Sequence, residues 1–484
     1  MLNERMHFER QRAIDFSGIN PLDRDARTRE QLKRLSEKVA VPLIRAFNIA
    51  EGKNRKTVDY DVAVPDVNQE STDLISDLAE GRSSVSEIIA HVVINPPTRE
   101  EWRRRAVLFD ELRSRFEKVA QGRDGNLALQ QETTVVILNA LAAFCSTRGG
   151  EDINTLDLIE ITQGIKPELV PESIIKAQTE KLQKFLKEKF EVEYTREALE
   201  EFRKTNLEPQ FVEKMREDEK EFYKRISSAI GKQIDPDVLI DEDNEDDYWV
   251  LWSTGRGRKY KTTINTNKKH DSKKTKGRAE IVRDHERMHH GQAYRWRERI
   301  EDADLLPSLG VTSIVTPVQV TLEGIAQTIP YYLPEIYESM SPLGRAELEL
   351  EGLRQLLYNN VHILVNSSDV TDEQVIAYFH QYYPAEPEDE IKRQIKDRRD
   401  DPFKRSYLYS YTAGYRLFKW FSDNLNETGK KAMLRFIFEQ PTTPKQVYTY
   451  FALLMSDSKR RYGRLSVPYG ENFDDLPAFP DSSN

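Results

Sequence analysis

The stretch RDHERMHHGQAYR, residues 283–295, places three of the chain's 8 histidines within six positions. Around it, RAEIVRDHERMHHGQAYRWRERI has no proline and only one glycine, which follows the motif, so the segment reads as helix. On a helix, His285 and His289 stand about 40° apart around the axis, and both imidazoles face one side. That arrangement suits two nitrogen ligands of a tetrahedral zinc. Glu286, one step along, can reach water at the open fourth position and take its proton. His290 offers a second pairing, because His285 and His290 fit H-E-x-x-x-H. Positions i and i+5 differ by about 140°, so that pair meets at one metal only on a distorted helix. A regular helix favours His289 and leaves His290 as the alternative second ligand.

A third protein ligand is expected from a following helix. SIVTPVQVTLEGIAQTIPYYLPE, residues 313–335, begins one at Thr316-Pro317, an N-cap followed by proline. Its apolar body carries a single carboxylate, Glu323, among Val320, Leu322, Ile325 and Ala326. A buried acid there needs a cation. Gly324 beside it lets another backbone or a substrate approach closely.

The rest of the chain bounds the class. Its 484 residues suffice for two or three domains, and a formal charge of -10 argues against whole-surface nucleic-acid binding. Cys145 is the only cysteine, which excludes an intramolecular disulfide and thiolate zinc clusters. It ends the apolar run TTVVILNALAAFC, too short in itself to span a bilayer, and reads as a buried structural thiol. The first residues, MLNERMHFERQRAIDF, lack the unbroken apolar core of a signal peptide, so cytoplasmic residence and no membrane partner are expected.

Charged segments at 24–40 and 98–122 read as amphipathic surface helices, and 48–68 as a loop. Helix dominates from 124 to 230. The run DPDVLIDEDNEDD (235–247) holds eight acidic side chains. YWVLW and KYKTTINT, joined by STGRG, form the one convincing hairpin. Residues 254–279 then carry ten lysines and arginines against Asp271 alone. The expectation is a mainly α protein with one small antiparallel hairpin or sheet beside the metal-binding helix. Its divisions are an N-terminal helical region (1–122), a catalytic domain (123–465) and an extended or disordered tail (466–484).

HERMHH followed by LEGIA resembles the α-helical zinc peptidases of gluzincin type that include the microtubule-associated tyrosine carboxypeptidases and their bacterial Q-E-G-L-A relatives. LIRAFNIAEGKNRKTVDYD is similar to that family's N-terminal helix and loop. LDLIEITQGIKPELVPESIIKA is similar to its YG segment, and YWVLWSTGRGRKYKTTINT to the hairpin before its metal helix. The family uses H-E-x-x-x-H, which would make His290 the second ligand, and Leu322 stands where its motif has glutamine or glutamate. Farther on, GLRQLLYNNVHILVNSSDVTDEQVIAYF and SYLYSYTAGYRLFKWF are similar to segments of a broad family of bacterial helical metallopeptidases. Those carry an arginine eight residues before a histidine, matched by Arg354 and His362, and a later S-Y-x-x-G, matched by Ser410, Tyr411 and Gly414. The resemblance implies that Arg354 binds a substrate carboxylate and that His362 and Tyr411 stabilise an oxyanion.

The expectation that follows is a zincin-like metallopeptidase with one zinc per chain, held by His285, His289 and Glu323. It would hydrolyse a peptide or protein substrate, including an acidic tail drawn to the basic 254–279 segment. Carboxypeptidase action is expected first, with an endopeptidase or another zinc amide hydrolase as alternatives. A non-catalytic scaffold that binds an acidic partner through 254–279 is the reading of a different class.

Overall fold

The computed structural model describes residues 21–41, 43, 44, 47, 60, 61, 98–119, 124–217, 219–244, 251–256 and 259–459. The expected tail from 466 and nearly all of the 48–68 loop lie outside these residues. Helices α1 (Pro21–Leu35, continued by a π-turn at Ser36–Ala40), α2 (Arg99–Lys118), α3 (Gly125–Arg148), α4 (Thr155–Gln163), α5 (Glu172–Phe190), α6 (Arg196–Thr205), α7 (Phe211–Met215) and α8 (Lys220–Ile230) precede the main strands. After them come α9 (Lys276–Glu301), α10 (Val318–Tyr332), α11 (Pro334–Ser339), α12 (Pro342–Ser367), α13 (Asp372–Tyr382), α14 (Glu388–Asp400), α15 (Pro402–Asn424), α16 (Glu427–Glu439) and α17 (Pro444–Lys459). The protein is mainly α with one small sheet.

An antiparallel hairpin is present, as β3 (Leu251–Arg256) paired with β4 (Lys259–Asn265), but Ser253–Arg256 of the expected turn belong to β3, and 248–250 of the expected strand lie outside the described residues. The sheet extends beyond it. A two-residue β1 (Tyr60–Asp61) pairs parallel with β3, and β2 (Asp237–Asp243) pairs parallel with β4, giving the order β1-β3-β4-β2. The acidic run thus supplies an edge strand. Asp241 on it accepts an ion pair from Lys261 of β4 at 3.0 Å, and charge on an edge strand deters pairing with another chain.

Residue 122 is not a boundary in the core. One apolar cluster joins Leu32 and Phe47 to Phe109 and Leu112 of α2, Leu138 and Phe144 of α3, Trp296 of α9 and Leu322 of α10. The N-terminal helices are therefore built into the body that carries the histidines, and α2 is amphipathic as expected, burying Trp102, Phe109 and Phe116 while Arg103, Arg104 and Asp110 stay exposed. The short apolar run expected at 133–145 is part of the 24-residue α3, which by length and composition is long enough to cross a membrane. Here it is a core helix. Gln130 donates to the Asp304 carbonyl at 2.8 Å, the Thr134 and Ser308 hydroxyls meet at 3.3 Å, and Cys145 is buried and in no disulfide.

Two features of the fold position the histidines. The Thr275 hydroxyl caps α9 by accepting from the Arg278 N–H, and the helix then runs as regular α to Glu301 with no π-type bulge. Helices α10 and α15 cross backbone to backbone at Gly324 and Gly414. A Cβ added at Gly324 would lie 2.6 Å from the Gly414 carbonyl oxygen, and one added at Gly414 would collide with the Val320 carbonyl. Neither glycine needs its φ freedom. What the crossing requires is the missing side chain.

Gly414→Ala is expected to destabilise the protein by about 1–3 kcal/mol through overpacking against backbone that cannot move aside. Gly125→Ala, where a Cβ meets nothing within 4 Å, should be neutral or slightly stabilising. Melting temperatures of the two variants check this, and equal shifts would contradict it.

Candidate metal centre

On the regular α9, His285 and His289 stand one turn apart, with rings 4.6 Å between centroids and 80° between planes. Their Nε2 atoms are 3.0 Å apart. Glu323 arrives from α10, and its Oε2 lies 3.3 Å from His285 Nε2 and 3.4 Å from His289 Nε2. These three residues form the metal-competent cluster found among the described residues. Glu323 is 3% exposed, and its Oε2 is buried and accepts no hydrogen bond. Burial alone would raise the carboxyl's pKa. The charges of His289 and His285 beside it outweigh burial and carry it well below its ordinary range.

The donor separations test the fit of a metal. Zinc bound tetrahedrally at about 2.0–2.1 Å sets its ligand atoms roughly 3.3 Å apart. Separations of 3.0, 3.3 and 3.4 Å match that triangle, and the orphaned oxygen faces its centre. Two imidazoles and one carboxylate are a donor set that zinc accepts. The residues fit.

His290 points elsewhere. It is 1% exposed and lies on the sheet side of α9, stacked on Tyr260 of β4 with centroids 5.5 Å apart and Nε2 3.4 Å from Thr262 Oγ1. Burial, with the charges of His289 and Arg287, pulls its pKa down to about 3, so it is a neutral core histidine. Glu286 is buried beside the cluster, close enough for its charge to act on His285, Tyr407 and Tyr411.

Helix α15 covers the other side. The Tyr411 ring lies parallel to His285 at 6.4 Å and 9°, and its hydroxyl is 2.6 Å from that of Tyr407. Tyr407 in turn donates to Glu323 Oε1 at 3.0 Å. Burial and the charge of Glu323 hold both phenols well above their ordinary range, so each carries its proton. Tyr407 was not singled out in the sequence. The available signal was its i, i+4 relation to Tyr411 within SYLYSYTAGY, which places both rings on one face. Ser410 is used by its own helix, its hydroxyl donating to the Tyr407 carbonyl at 2.6 Å. Helix α10 begins at Val318, and the Thr316 hydroxyl donates back to the Ser313 carbonyl instead of capping it.

Two expected site residues are corrected. Arg354 does not present a free guanidinium fork. Its Nε and one terminal nitrogen donate to Glu386 Oε2 at 3.1 and 2.9 Å, while the other terminal nitrogen lies 3.2 Å from Glu347 and 3.7 Å from Glu351. Three internal carboxylates already fill the place a substrate carboxylate would take. His362 is 0% exposed and packs on Tyr409 at 5.2 Å, with no hydrogen-bond partner on either ring nitrogen. Burial, with the charges of Arg398 and Arg405, holds it well below its ordinary pKa. It is not part of the cluster. The basic 254–279 segment is partly spent internally, with Lys261 on Asp241, Lys273 on Glu390 at 2.6 Å and Lys274 on Asp271 at 3.0 Å.

No family model matches the sequence, and no curated protein matches it. A solved structure does. The fold is shared with a chain described as "the putative lipoprotein from Colwellia psychrerythraea", at a TM-score of 0.50 and 13% identity, over 86% of this chain and 80% of that one. At that identity the likeness concerns the fold alone.

Two measurements follow from this geometry. His289→Ala should abolish stoichiometric metal binding, whereas His290→Ala should keep it despite some loss of stability; metal analysis after dialysis reads the difference, and metal loss at His290 alone would reverse the assignment. Arg354→Ala should destabilise the fold by up to about 3–5 kcal/mol, because buried Glu386 loses its nearer cation and keeps only Arg203 at 4.0 Å. Denaturant unfolding checks this, and an unaltered midpoint would return Arg354 to the list of substrate contacts.

Proposed function

We propose that the protein is a zinc-dependent peptidase in which His285, His289 and Glu323 hold one zinc and Glu286 is the general base. The observation that carries this reading is the triangle of donor atoms, 3.0, 3.3 and 3.4 Å on its sides, one corner of which is a buried carboxylate oxygen that accepts no hydrogen bond. Zinc, when bound, supplies a Lewis acid that makes nearby water more acidic and polarises a carbonyl. Glu286 takes a proton from the attacking water and passes it to the departing amine. The Tyr411 hydroxyl, beside His285 and hydrogen-bonded to Tyr407 in the resting site, turns to donate its one proton to the oxygen of the scissile carbonyl as negative charge develops there.

A peptide substrate is supported by the family resemblance; the hairpin packs against α9 through Tyr260 and Thr262 on the face turned away from the three candidate ligands. The resemblance to the tyrosine carboxypeptidases supports release of a C-terminal residue, but with Arg354 committed to Glu386, carboxylate recognition falls to another group. The scaffold alternative has less to rest on, since Lys261, Lys273 and Lys274 of the basic segment already have partners.

Glu286→Gln should retain one zinc per chain and the parent's circular dichroism, and lose hydrolysis of a peptide library by about 10²–10⁴-fold, because a carboxamide cannot accept the proton. Hydrolysis within tenfold of the parent would exclude Glu286 as the base.

A further inference from the structure

The hydrogen-bond chain on α15 has a direction that the reading above does not use. The Tyr407 hydroxyl donates to Glu323 Oε1, 3.0 Å away, so its single proton is committed there. The 2.6 Å contact between the two phenols must then run the other way, with Tyr411 donating to the Tyr407 oxygen. The order is Tyr411 to Tyr407 to Glu323. Only one carboxylate oxygen is held. The other, Oε2, is left facing both imidazole nitrogens.

A glutamate's terminal torsion is broad and nearly two-fold, so an unheld carboxylate would turn either oxygen, or its edge, toward the histidines. The Gly324–Gly414 crossing fixes the distance between α10 and α15, and the Tyr407 hydroxyl then reaches Oε1 from the far side. We propose that Tyr407 is a positioning residue for the metal centre, holding Glu323 so that Oε2 alone completes the triangle with His285 and His289. The inference rests on the metal reading above. It concerns metal affinity, whereas the Glu286 test concerns catalysis of the loaded protein.

The experiment compares zinc dissociation constants of the full-length parent, Tyr407→Phe and Tyr411→Phe, by competition with a chromophoric chelator. The melting temperatures of the three metal-free proteins are measured alongside. Removing a hydrogen-bond partner of a metal-ligating carboxylate typically weakens binding by about 10–100-fold. That loss is expected for Tyr407→Phe, while Tyr411→Phe, one step farther from the ligand, should stay within about threefold of the parent; the metal-free proteins should melt together. Tyr407→Phe within threefold of the parent would overturn the proposal, as would equal losses in the two variants. A fall in the metal-free melting temperature confined to Tyr407→Phe would make its hydroxyl a packing group and also overturn it. A parent that binds no zinc at all would remove the metal reading itself, an outcome distinct from the others.

Discussion

Two helices that touch without side chains between them set the geometry of this site. Gly324 follows Glu323, and Gly414 lies one turn beyond Tyr411 (411 + 3), so the crossing of α10 and α15 brings the carboxylate and the two phenols to one level. Helix α9 meets that pair with His285 and His289 on one face and gives its opposite face, through His290, to the sheet. Separating α10 from α15 by one methyl group would draw Glu323 away from Tyr407 and would move the ligand triangle with it. The apolar residues around the crossing, Val320, Ile325 and Phe418 among them, are fully buried, so the burial that stabilises the fold also fixes the site.

The parts of this arrangement legible in the sequence are those that depend on local periodicity. His285, Glu286 and His289 follow from 3.6 residues per turn on a helix without proline, and the same rule separates His290 from them. Glu323 was legible because a lone acid in an apolar helix demands a partner. The hairpin announced itself by composition, whereas β2 did not. Its acidic residues are poor strand formers, and only pairing with β4 makes them a strand.

What failed to be legible depends on long-range partners. Arg354 and His362 share the spacing of a motif, but nothing near them in sequence reveals that Glu386 waits 32 residues on to take the guanidinium. Nor does it reveal that Tyr409, Arg398 and Arg405 surround the imidazole. An arginine is chosen for a carboxylate either way, internal or external, and the sequence does not distinguish the two. Tyr407 escaped notice for the opposite reason. Its partner Glu323 lies 84 residues away, and one tyrosine among several in SYLYSYTAGY carries no mark of its own. The contact of Phe47 with Phe144, edge to face at 5.9 Å across residue 122, is likewise invisible to any local pattern.

A fold shared at 13% identity leaves function to the side chains, and here His285, His289 and Glu323 converge on one point in space. Anomalous diffraction from zinc-loaded crystals at the zinc absorption edge tests it most directly. The account predicts one strong peak per chain about 2.0–2.2 Å from His285 Nε2, His289 Nε2 and Glu323 Oε2. A peak held by His285 and His290, or no peak at this triangle after loading, would contradict it.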